Sequence, residues 1–234
     1  MEKLLEIKNL NKNYGDKKIL KNINLSLEKG KIIGLLGKNG AGKTTLLKLI
    51  NDLLTPTSGE ILVAGKPIGV ESKSIISFLP ERTYLDKNIT IKETLNFFAD
   101  FYKDFNIKKA QKLLKQFNLD EDMRIAKLSK GMQEKVQLAL VMSRKAKLYI
   151  LDEPLGGIDP ATRDDILDTI LTHFDDGASM IISTHLISDI ERILDDVIFI
   201  DDGEIKVFDS AENLRDKYKK SIDEIFRKEF RNAR

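Results

Sequence analysis

Apolar and polar residues alternate in the first part of the chain, as at residues 5–10, where leucine and isoleucine are separated by charged and amide residues. This period of two predicts a half-buried strand, and the pattern resumes over residues 19–27 after a glycine-containing turn. Residues 32–36 form an unbroken apolar run that indicates a buried strand, and further strands are predicted over residues 60–65 and 75–79. The amino-terminal part is therefore predicted to consist largely of β-strands.

The pattern becomes helical from Ile89 to Arg144, a stretch with no proline and a single glycine. Strand patterns return at residues 148–151 and 180–183. Between them, Asp159 followed by Pro160 predicts the start of a helix, with aspartate as the N-cap and proline at the first helical position. We therefore predict a mostly parallel α/β core that is interrupted by an all-helical insertion.

A glycine-rich loop follows the buried strand at residues 32–36. Residues Gly37–Thr44 have the form G-x-x-x-x-G-K-T, which is typical of phosphate-binding P-loops. Glycines let the backbone turn its N–H groups toward an anion, and the helical pattern over residues 45–50 would place a phosphate at a helix N-terminus. Lys43 can reach the terminal phosphates, and the Thr44 hydroxyl can ligate Mg²⁺. The predicted nucleotide-binding residues of this loop are Gly37, Asn39, Gly40, Ala41, Gly42, Lys43, Thr44 and Thr45.

A second motif, Leu148–Glu153, is an apolar run that ends in two acids. A buried strand would carry Asp152 to its carboxyl end, where ligands gather in open α/β sheets. Asp152 is predicted to hold Mg²⁺, and Glu153 to polarise an attacking water as a general base. Two acids at the end of a strand are weak evidence for a catalytic site when they occur alone. They become strong evidence when they lie downstream of a P-loop.

Composition narrows the function classes. The 234 residues contain no cysteine, which excludes disulfides, thiol catalysis and cysteine-ligated zinc. The formal net charge of +2 gives no argument for a nucleic-acid partner. The charged first residues do not fit a signal peptide, and no apolar run reaches the ~18 residues that a membrane-spanning helix needs. Any contact with a membrane is therefore expected to be peripheral.

Further motifs occur before, between and after the P-loop and the Leu148–Glu153 motif. Residues Leu128–Gln133, which read Leu-Ser-Lys-Gly-Met-Gln, resemble the L-S-G-G-Q signature of ABC-type ATPases. Leu155–Asp159 resembles the D-loop of that family, His185 resembles its switch histidine, and Tyr14 resembles the aromatic residue that stacks on adenine. The resemblance covers about residues 2–210.

The resemblance implies an α/β fold with a P-loop NTPase (RecA-like) core, an N-terminal antiparallel β subdomain and an inserted α-helical subdomain. The implied ABC ATPase domain spans residues 1–210. Its α/β core comprises residues 1–86 and 145–210, its helical insertion comprises residues 87–144, and a helical tail follows over residues 211–234.

The resemblance also implies how the protein works. Two subunits, in a homodimer or a heterodimer, pack head to tail around two ATP molecules, so that Ser129 and Gly131 of one contact the γ-phosphate held by the other. Glu153 and His185 are the implied catalytic residues, and ATP and Mg²⁺ are the implied cofactors. The subunit would act on a separate transmembrane permease from the cytoplasmic face of the membrane.

Three features depart from the common family pattern. Glu81 stands where most members carry glutamine, and we expect it to ligate Mg²⁺, with a surface carboxylate as the alternative. Lys130 and Met132 replace a glycine and the glutamine of the signature, and Lys130 either helps to hold the γ-phosphate or points into solvent. Leu155–Asp159 lacks the usual hydroxyl residue. Glu81 and the Ser-Lys-Gly-Met sequence resemble exporter ATPases of the ABC-2 and bacitracin-resistance kind.

Two amphipathic stretches have no role in the nucleotide site. Aromatic residues at positions 97, 98, 101, 102 and 105 are predicted to share one helical face, either packed in the core or lining a groove for a permease helix. The tail from Ala211 to Arg234 is predicted to be helical, with an apolar residue at every fourth position. Docking on its own core is the first expectation for the tail, and dimerisation and binding to anionic lipid are the alternatives.

Two other function classes compete with transport. ABC ATPases that act on ribosomes or DNA use the same ATP-driven dimerisation, but they typically have two ATPase units in one chain or long coiled-coil insertions, and this sequence has neither. A P-loop kinase or GTPase is disfavoured by the signature-like segment, by His185 and by the missing N-K-x-D motif. The sequence therefore favours the motor of an exporter with no nucleic-acid partner, and it says nothing about the cargo.

Overall fold

The structure, a computed structural model, describes residues 3–156, 160–175 and 177–228. Its strands are β1 (Lys3–Tyr14), β2 (Lys17–Glu28), β3 (Ile32–Leu36), β4 (Ser58–Val63), β5 (Lys66–Pro67), β6 (Ile76–Leu79), β7 (Leu148–Asp152), β8 (Ser179–Thr184), β9 (Asp196–Asp201) and β10 (Glu204–Ser210). Its α-helices are α1 (Lys43–Ile50), α2 (Val70–Ile75), α3 (Ile91–Phe101), α4 (Ile107–Gln116), α5 (Lys130–Met142), α6 (Pro160–Thr172), α7 (Ile187–Ile190), α8 (Ala211–Tyr218) and α9 (Ile222–Phe226). Short 3₁₀ turns lie at Ile125–Lys127 and Glu191–Ile193.

The amino-terminal strands form an antiparallel sheet in the order β2-β1-β4-β5. Leu5 of β1 pairs with Leu27 of β2 on one side and with Val63 of β4 on the other. The β4–β5 hairpin turns through Ala64 and Gly65, whose φ angles of 50° and 76° are the positive pair that a two-residue type I′ turn requires. This sheet confirms the predicted N-terminal antiparallel subdomain.

The second sheet has the order β10-β9-β3-β8-β7-β6. All of its neighbouring strands are parallel except the β9–β10 pair. Every residue of β7 and β8 is buried, as expected for parallel strands that are covered on both faces. Because β3, β8 and β7 are neighbours, the segments that follow them begin side by side at one edge of the sheet.

The buried apolar residues form two clusters, one on each face of the parallel sheet. One cluster joins β3 and β7–β9 to α1 and the amino-terminal sheet, and it includes Ile33 and Leu35. The other joins the opposite face of the sheet to the remaining helices, and it includes Leu36. Successive side chains of β3 therefore pack into two different cores, on opposite faces of the sheet.

The helical insertion, α3–α5, lies between β6 and β7, and Arg144 ties its end to the sheet. The Arg144 side chain is 4% exposed and donates hydrogen bonds to the carbonyl oxygens of Ser74 at 2.8 Å and Ile76 at 2.5 Å. It also donates to the Asp104 carboxylate at 3.1 Å, and its guanidinium lies 4.0 Å from the centre of the Tyr102 ring. One side chain therefore connects β6, the end of α5 and the α3–α4 linker.

The aromatic residues of the insertion do not share one face, and that prediction is wrong. Helix α3 ends at Phe101, so Phe105 lies outside it. Phe98 is 8% exposed in the core, whereas Phe97 and Phe101 are 62% and 67% exposed and stack on each other with ring centres 6.1 Å apart. Residues one position apart are separated by about 100° around a helix, so Phe97 and Phe98 face different surroundings.

The tail docks on its own core, as expected, but not as one continuous helix. Lys219, with φ of 52°, ends α8, and α9 begins three residues later. Ile222 and Ile225 are buried, and the Phe226 ring lies 5.5 Å from that of Phe199 in β9. The regular four-residue spacing of apolar side chains therefore belongs to two short helices. Residues 229–234 lie outside the described part of the chain.

Candidate nucleotide site at the carboxyl edge of the parallel sheet

The loop between β3 and α1 needs its glycines for close packing. A Cβ atom at Gly37 would lie 2.4 Å from the Ile200 carbonyl oxygen. Gly42 has φ of +108°, and a Cβ there would lie 2.7 Å from a Leu20 methyl. Gly42 is also the N-cap of α1, and no side chain caps the helix, so the first N–H groups of α1 are available to an anion.

Lys43 is the cation of this loop. Its side chain is 6% exposed, and its ammonium donates to the Gly37 carbonyl at 2.7 Å and the Lys38 carbonyl at 3.3 Å. The ammonium lies 3.7 Å from Glu153 Oε1. Burial lowers the pKa of Lys43, and the charges of Glu153 and Asp152 oppose that effect. The buried ammonium is thus held by the loop backbone at the site where phosphate is expected.

Asp152, at the end of β7, is 1% exposed. The Ser183 hydroxyl of β8 donates to its Oδ1, whereas its Oδ2 is buried with no hydrogen-bond partner among the described residues. Burial raises the pKa of Asp152, and hydrogen bonds from Ser183 and Thr44 oppose this effect. A free buried carboxylate oxygen beside the Thr44 hydroxyl fits a hard cation such as Mg²⁺. Ser183 had no predicted role of its own, because its contact depends on the pairing of β7 with β8.

Glu153 follows Asp152 in a left-handed backbone conformation, with φ of 51°. Successive side chains of an extended strand point to opposite faces. The left-handed backbone at Glu153 instead brings both acids close enough to Lys43 for their charges to affect its pKa. The Glu153 N–H donates to the Ser183 carbonyl at 3.0 Å. Its Oε2 lies 2.9 Å from Nδ1 of His185, which follows β8 and is half exposed. The two predicted catalytic residues are therefore in contact.

Lys43, Glu153 and His185 line an open cleft of about 1050 Å³, which is large enough for a nucleotide. Of the predicted site residues, it is lined by Asn39, Gly40, Gly42, Lys43, Thr44, Thr45, Glu81, Glu153 and His185. Lysine and arginine outnumber acids around it, since Lys17, Lys38, Lys43, Arg82 and Lys130 face Glu81, Glu134 and Glu153. This charge balance suits a polyanion.

Tyr14, the predicted adenine-stacking residue, is the last residue of β1 and is 50% exposed. The Lys12 ammonium lies 4.8 Å from the centre of its ring. Tyr14 does not line the cleft, which is bounded on this side by Lys17 and Ile19 of β2. Sequence reasoning missed both of these residues, and adenine stacking on Tyr14 stays a prediction.

The signature-like segment forms the start of α5. Ser129 is the N-cap, and its hydroxyl accepts from the Met132 N–H at 3.3 Å. A Cβ atom at Gly131 would meet nothing within 4 Å, and its φ is not in the left-handed region. The fold of the chain therefore does not require a glycine at this position.

The last predicted positions are Glu81 and the D-loop-like segment Leu155–Asp159. Glu81 is exposed, lines the cleft and raises the pKa of Asp152 through its charge. No group of three or more acids, histidines or cysteines is arranged to hold a metal within the described ranges. Of the D-loop-like segment, Gly156 lines the cleft, and residues 157–159 lie outside the described part of the chain.

The model of the ABC transporter family matches residues 20–156. The chain belongs to the ABC transporter family. This ABC subunit is 31% identical to the lantibiotic transport ATP-binding protein SrtF of Streptococcus pyogenes, over 94% of this chain and 97% of the relative. It is 35% identical to the linearmycin resistance ATP-binding protein LnrL of Bacillus subtilis, over 86% and 68%. A solved ATP-binding subunit of an ABC transporter superposes with a TM-score of 0.87 at 29% identity, covering 96% of this chain and 98% of that chain.

The comparisons confirm the predicted family and the predicted P-loop NTPase fold. The protein is an ATP-binding subunit of the ABC class, and ATPase activity is the general property of that domain. The residue roles and the domain limits remain proposals, and the geometry above is what supports them.

Proposed function

We propose that this ABC subunit is the ATP-hydrolysing motor of an exporter, which dimerises around two ATP–Mg²⁺ and drives a separate transmembrane permease. The observation that carries the proposal is the meeting of a buried lysine, a free buried carboxylate oxygen and a Glu–His pair beside an uncapped helix start. Export is supported by the relatives, one of which is named for lantibiotic transport and another for linearmycin resistance.

In this mechanism the P-loop binds and orients the phosphates. The uncapped N–H groups of α1 and the Lys43 ammonium bind the β- and γ-phosphates. Thr44, Asp152 and Glu81 would hold Mg²⁺, which would supply positive charge to neutralise the phosphates. A bound phosphate replaces Glu153 as the anion nearest to Lys43.

Glu153 then acts as the general base. One of its oxygens is 2.9 Å from His185 Nδ1, and the other is released from Lys43 when phosphate binds. His185 keeps the carboxylate aimed at the cleft, where it accepts the proton of the attacking water. The Ser183 carbonyl and hydroxyl hold the Glu153 backbone and Asp152, so both acids depend on the same β8 residue.

Dimerisation is supported by the start of α5. Glycine inside a helix costs up to about 1 kcal/mol relative to alanine, and Gly131 has ample room for a methyl group. The space beside Gly131 is therefore available to a group from outside the folded chain. A γ-phosphate held by a second copy fits, because Ser129 and the first N–H groups of α5 stand at the same point.

A permease surface is supported by the exposed aromatic residues of the insertion. Phe97 and Phe101 stack at the surface, and Tyr84, which is 47% exposed, stacks on Phe98. Tyr84 is three residues from Glu81 of the cleft, so a helix bound here would lie near the nucleotide. Within the described ranges no helix has both the length and the apolar character needed to cross a bilayer. In this proposal the subunit meets the permease peripherally on the cytoplasmic face of the membrane, without a nucleic-acid partner.

Trapping the ATP-bound dimer tests the ATPase mechanism. Glu153→Gln keeps the shape of the side chain and removes the base, so the variant should bind Mg-ATP, lose at least about 100-fold in kcat and elute as a dimer. Lys43→Ala should fail to bind ATP at all. The matched control is Glu60→Gln, an exposed carboxylate of β4. Hydrolysis by Glu153→Gln at the parent rate would show that another group is the base.

Permease binding is tested separately. A Phe97→Ser, Phe101→Ser double variant should retain ATPase activity and lose co-purification with the transmembrane permease. If the double variant still binds the permease, the contact lies elsewhere. If the parent subunit instead co-purifies with ribosomes and with no membrane protein, the non-transport ABC alternative is correct.

A further inference from the structure

A second, smaller cavity lies beside the nucleotide cleft, where α5 of the insertion meets the ends of β6 and β7. Its volume is about 20 Å³, and a single water molecule needs at least about 10–15 Å³. The polar residues that line this inner cavity are Glu81, Glu134, Gln137, Asp152 and Glu153. Three of these acids also line the cleft, so the two spaces are adjacent.

Three polar atoms of this lining are buried and have no hydrogen-bond partner within the described ranges. They are Nε2 of Gln137, Oε2 of Glu134 and Oδ2 of Asp152. Gln137 and Asp152 are only 2% and 1% exposed. The second oxygen of each acid has a contact elsewhere, since Glu134 Oε1 lies 3.6 Å from the Lys130 ammonium. Asp152 Oδ1 accepts from the Ser183 hydroxyl. Buried polar groups are rarely left unpaired, so three of them around one small cavity indicate an occupant.

The hydrogen-bonding character of the three atoms identifies that occupant. The amide nitrogen of Gln137 only donates, whereas ionised carboxylate oxygens only accept. The occupant must therefore accept one hydrogen bond and donate two, which water does and a metal cation does not. Although four acids line the inner cavity, no three acids, histidines or cysteines in the described part of the chain are arranged to hold a metal.

A water in this position would join the helical insertion to the acid that is proposed to hold Mg²⁺, because Gln137 belongs to α5 and Asp152 to β7. Ser183 fixes only one oxygen of that carboxylate. A carboxylate oxygen has two lone pairs, so Asp152 Oδ2 can accept from the water and still face a cation. Partners of this kind orient metal ligands, and their loss costs about 10- to 100-fold in metal affinity.

We propose that the inner cavity binds one water molecule, which accepts a hydrogen bond from Gln137 Nε2 and donates to Glu134 Oε2 and Asp152 Oδ2. Gln137 is then a positioning residue that orients Asp152 toward Mg²⁺ through this water. The role toward the metal rests on the proposed function, whereas the water site itself does not.

A crystal structure of the full chain, at a resolution that shows ordered water, tests the site directly. We expect one water within about 3.2 Å of all three atoms. A second crystal soaked in rubidium chloride separates water from a monovalent cation, because Rb⁺ has an anomalous signal and water has none. A Rb⁺ peak in the inner cavity, or a cavity without density, would overturn the water site.

Binding of Mn²⁺ together with a non-hydrolysable ATP analogue, followed by electron paramagnetic resonance, tests the positioning role. Gln137→Met keeps an unbranched side chain and removes the donor, so it should weaken Mn²⁺ binding about tenfold. The affinity for the analogue in EDTA should stay at the parent value. Mn²⁺ binding like that of the parent, or an equal loss of analogue affinity with and without metal, would refute the positioning role.

Two further variants distinguish damage to α5 from loss of the metal site. Ser143, the C-cap of α5, is 1% exposed, and its hydroxyl is buried without a partner among the described residues. It lines neither the cleft nor the inner cavity, so the matched control Ser143→Ala should leave Mn²⁺ binding unaltered. A tenfold loss in this control would mean that Gln137→Met acts by disturbing the helix.

Asp152→Asn should lose Mn²⁺ binding. If this variant binds Mn²⁺ like the parent, the proposed metal site is wrong and the role of Gln137 fails with it. The crystal structures still decide the water site in that case. If Asp152→Asn loses the metal and Gln137→Met does not, only the positioning role is refuted.

Discussion

Replacing Gly131 by alanine should change stability and activity in opposite directions. Gly131 is the second residue of α5, its φ is not in the left-handed region, and an added Cβ would meet nothing within 4 Å. Alanine is favoured over glycine in helices by up to about 1 kcal/mol, partly because it restricts the unfolded chain. We therefore expect the nucleotide-free protein to gain about 0.5–1 kcal/mol, which raises the Tm of a chain of this size by about 1–4 °C.

The same methyl group should reduce ATP hydrolysis. It would occupy the space through which we expect a γ-phosphate to reach the first N–H groups of α5. Each hydrogen bond to a charged group contributes about 1.5–3 kcal/mol, so the loss of one corresponds to a decrease in kcat/KM of about 10- to 100-fold. Thermal unfolding without nucleotide and steady-state ATPase assays of the same preparation measure both effects.

Gly65→Ala is the matched control. A Cβ at Gly65 would also meet nothing within 4 Å, but its φ of +76° is left-handed. Alanine there should cost about 1–2 kcal/mol of stability and leave the ATPase rate unchanged, because the β4–β5 turn does not line the cleft. Unaltered hydrolysis by Gly131→Ala would show that no phosphate uses the space, and a loss of stability would show that the described geometry of α5 is wrong.

Three other substitutions test the described contacts. Asp152→Asn should abolish Mg-ATPase activity and, without nucleotide or metal, stabilise the protein by about 1–3 kcal/mol at pH 7. Burial raises the pKa of Asp152 in the folded protein above its ordinary value of 3.8. The free-energy cost of the buried charge is therefore absent below pH 3.8, where the carboxyl is protonated in both the folded and the unfolded state. That cost appears as the pH rises through the raised pKa of the folded protein. A gain that persisted unchanged in urea titrations at pH 4 would contradict this origin. Arg144→Met should cost about 3 kcal/mol by urea denaturation, because it leaves Asp104 and two carbonyl oxygens without their donor, and a cost below about 1 kcal/mol would disprove that role. Phe226→Ala should lower stability by about 1–3 kcal/mol, because it loses packing on Phe199, while kcat stays at the parent value. A fall in kcat would instead show that the tail contributes to catalysis.

The elements with strong local signals could be predicted from the sequence. The run at residues 32–36, the loop at Gly37–Thr44 and the following helix lie as expected, because strand burial, glycine geometry and helical period all agree there. The same holds for β7 with its two terminal acids. Glu153 and His185 lie in contact, and their catalytic roles stay predictions.

Contacts set by strand order could not be predicted in the same way. Ser183 reaches Asp152 only because β8 pairs with β7, and Ile19 borders the cleft only because of where the first sheet lies against the second. Strands β9 and β10 were not predicted separately. The break at Lys219 was missed because residues 214–226 keep one apolar period across two helices.

The place where the helical insertion joins the sheet has a consequence for how such subunits diversify. It leaves from β6, an edge strand, and returns through β7, the neighbouring parallel strand. The segment in between, residues 80–147, carries both the exposed Phe97–Phe101 pair and the start of α5. Recombination at these two adjacent junctions would exchange the proposed permease surface and the proposed contact with a second copy's nucleotide together, while the P-loop and the acids of β7 stayed with the host sheet.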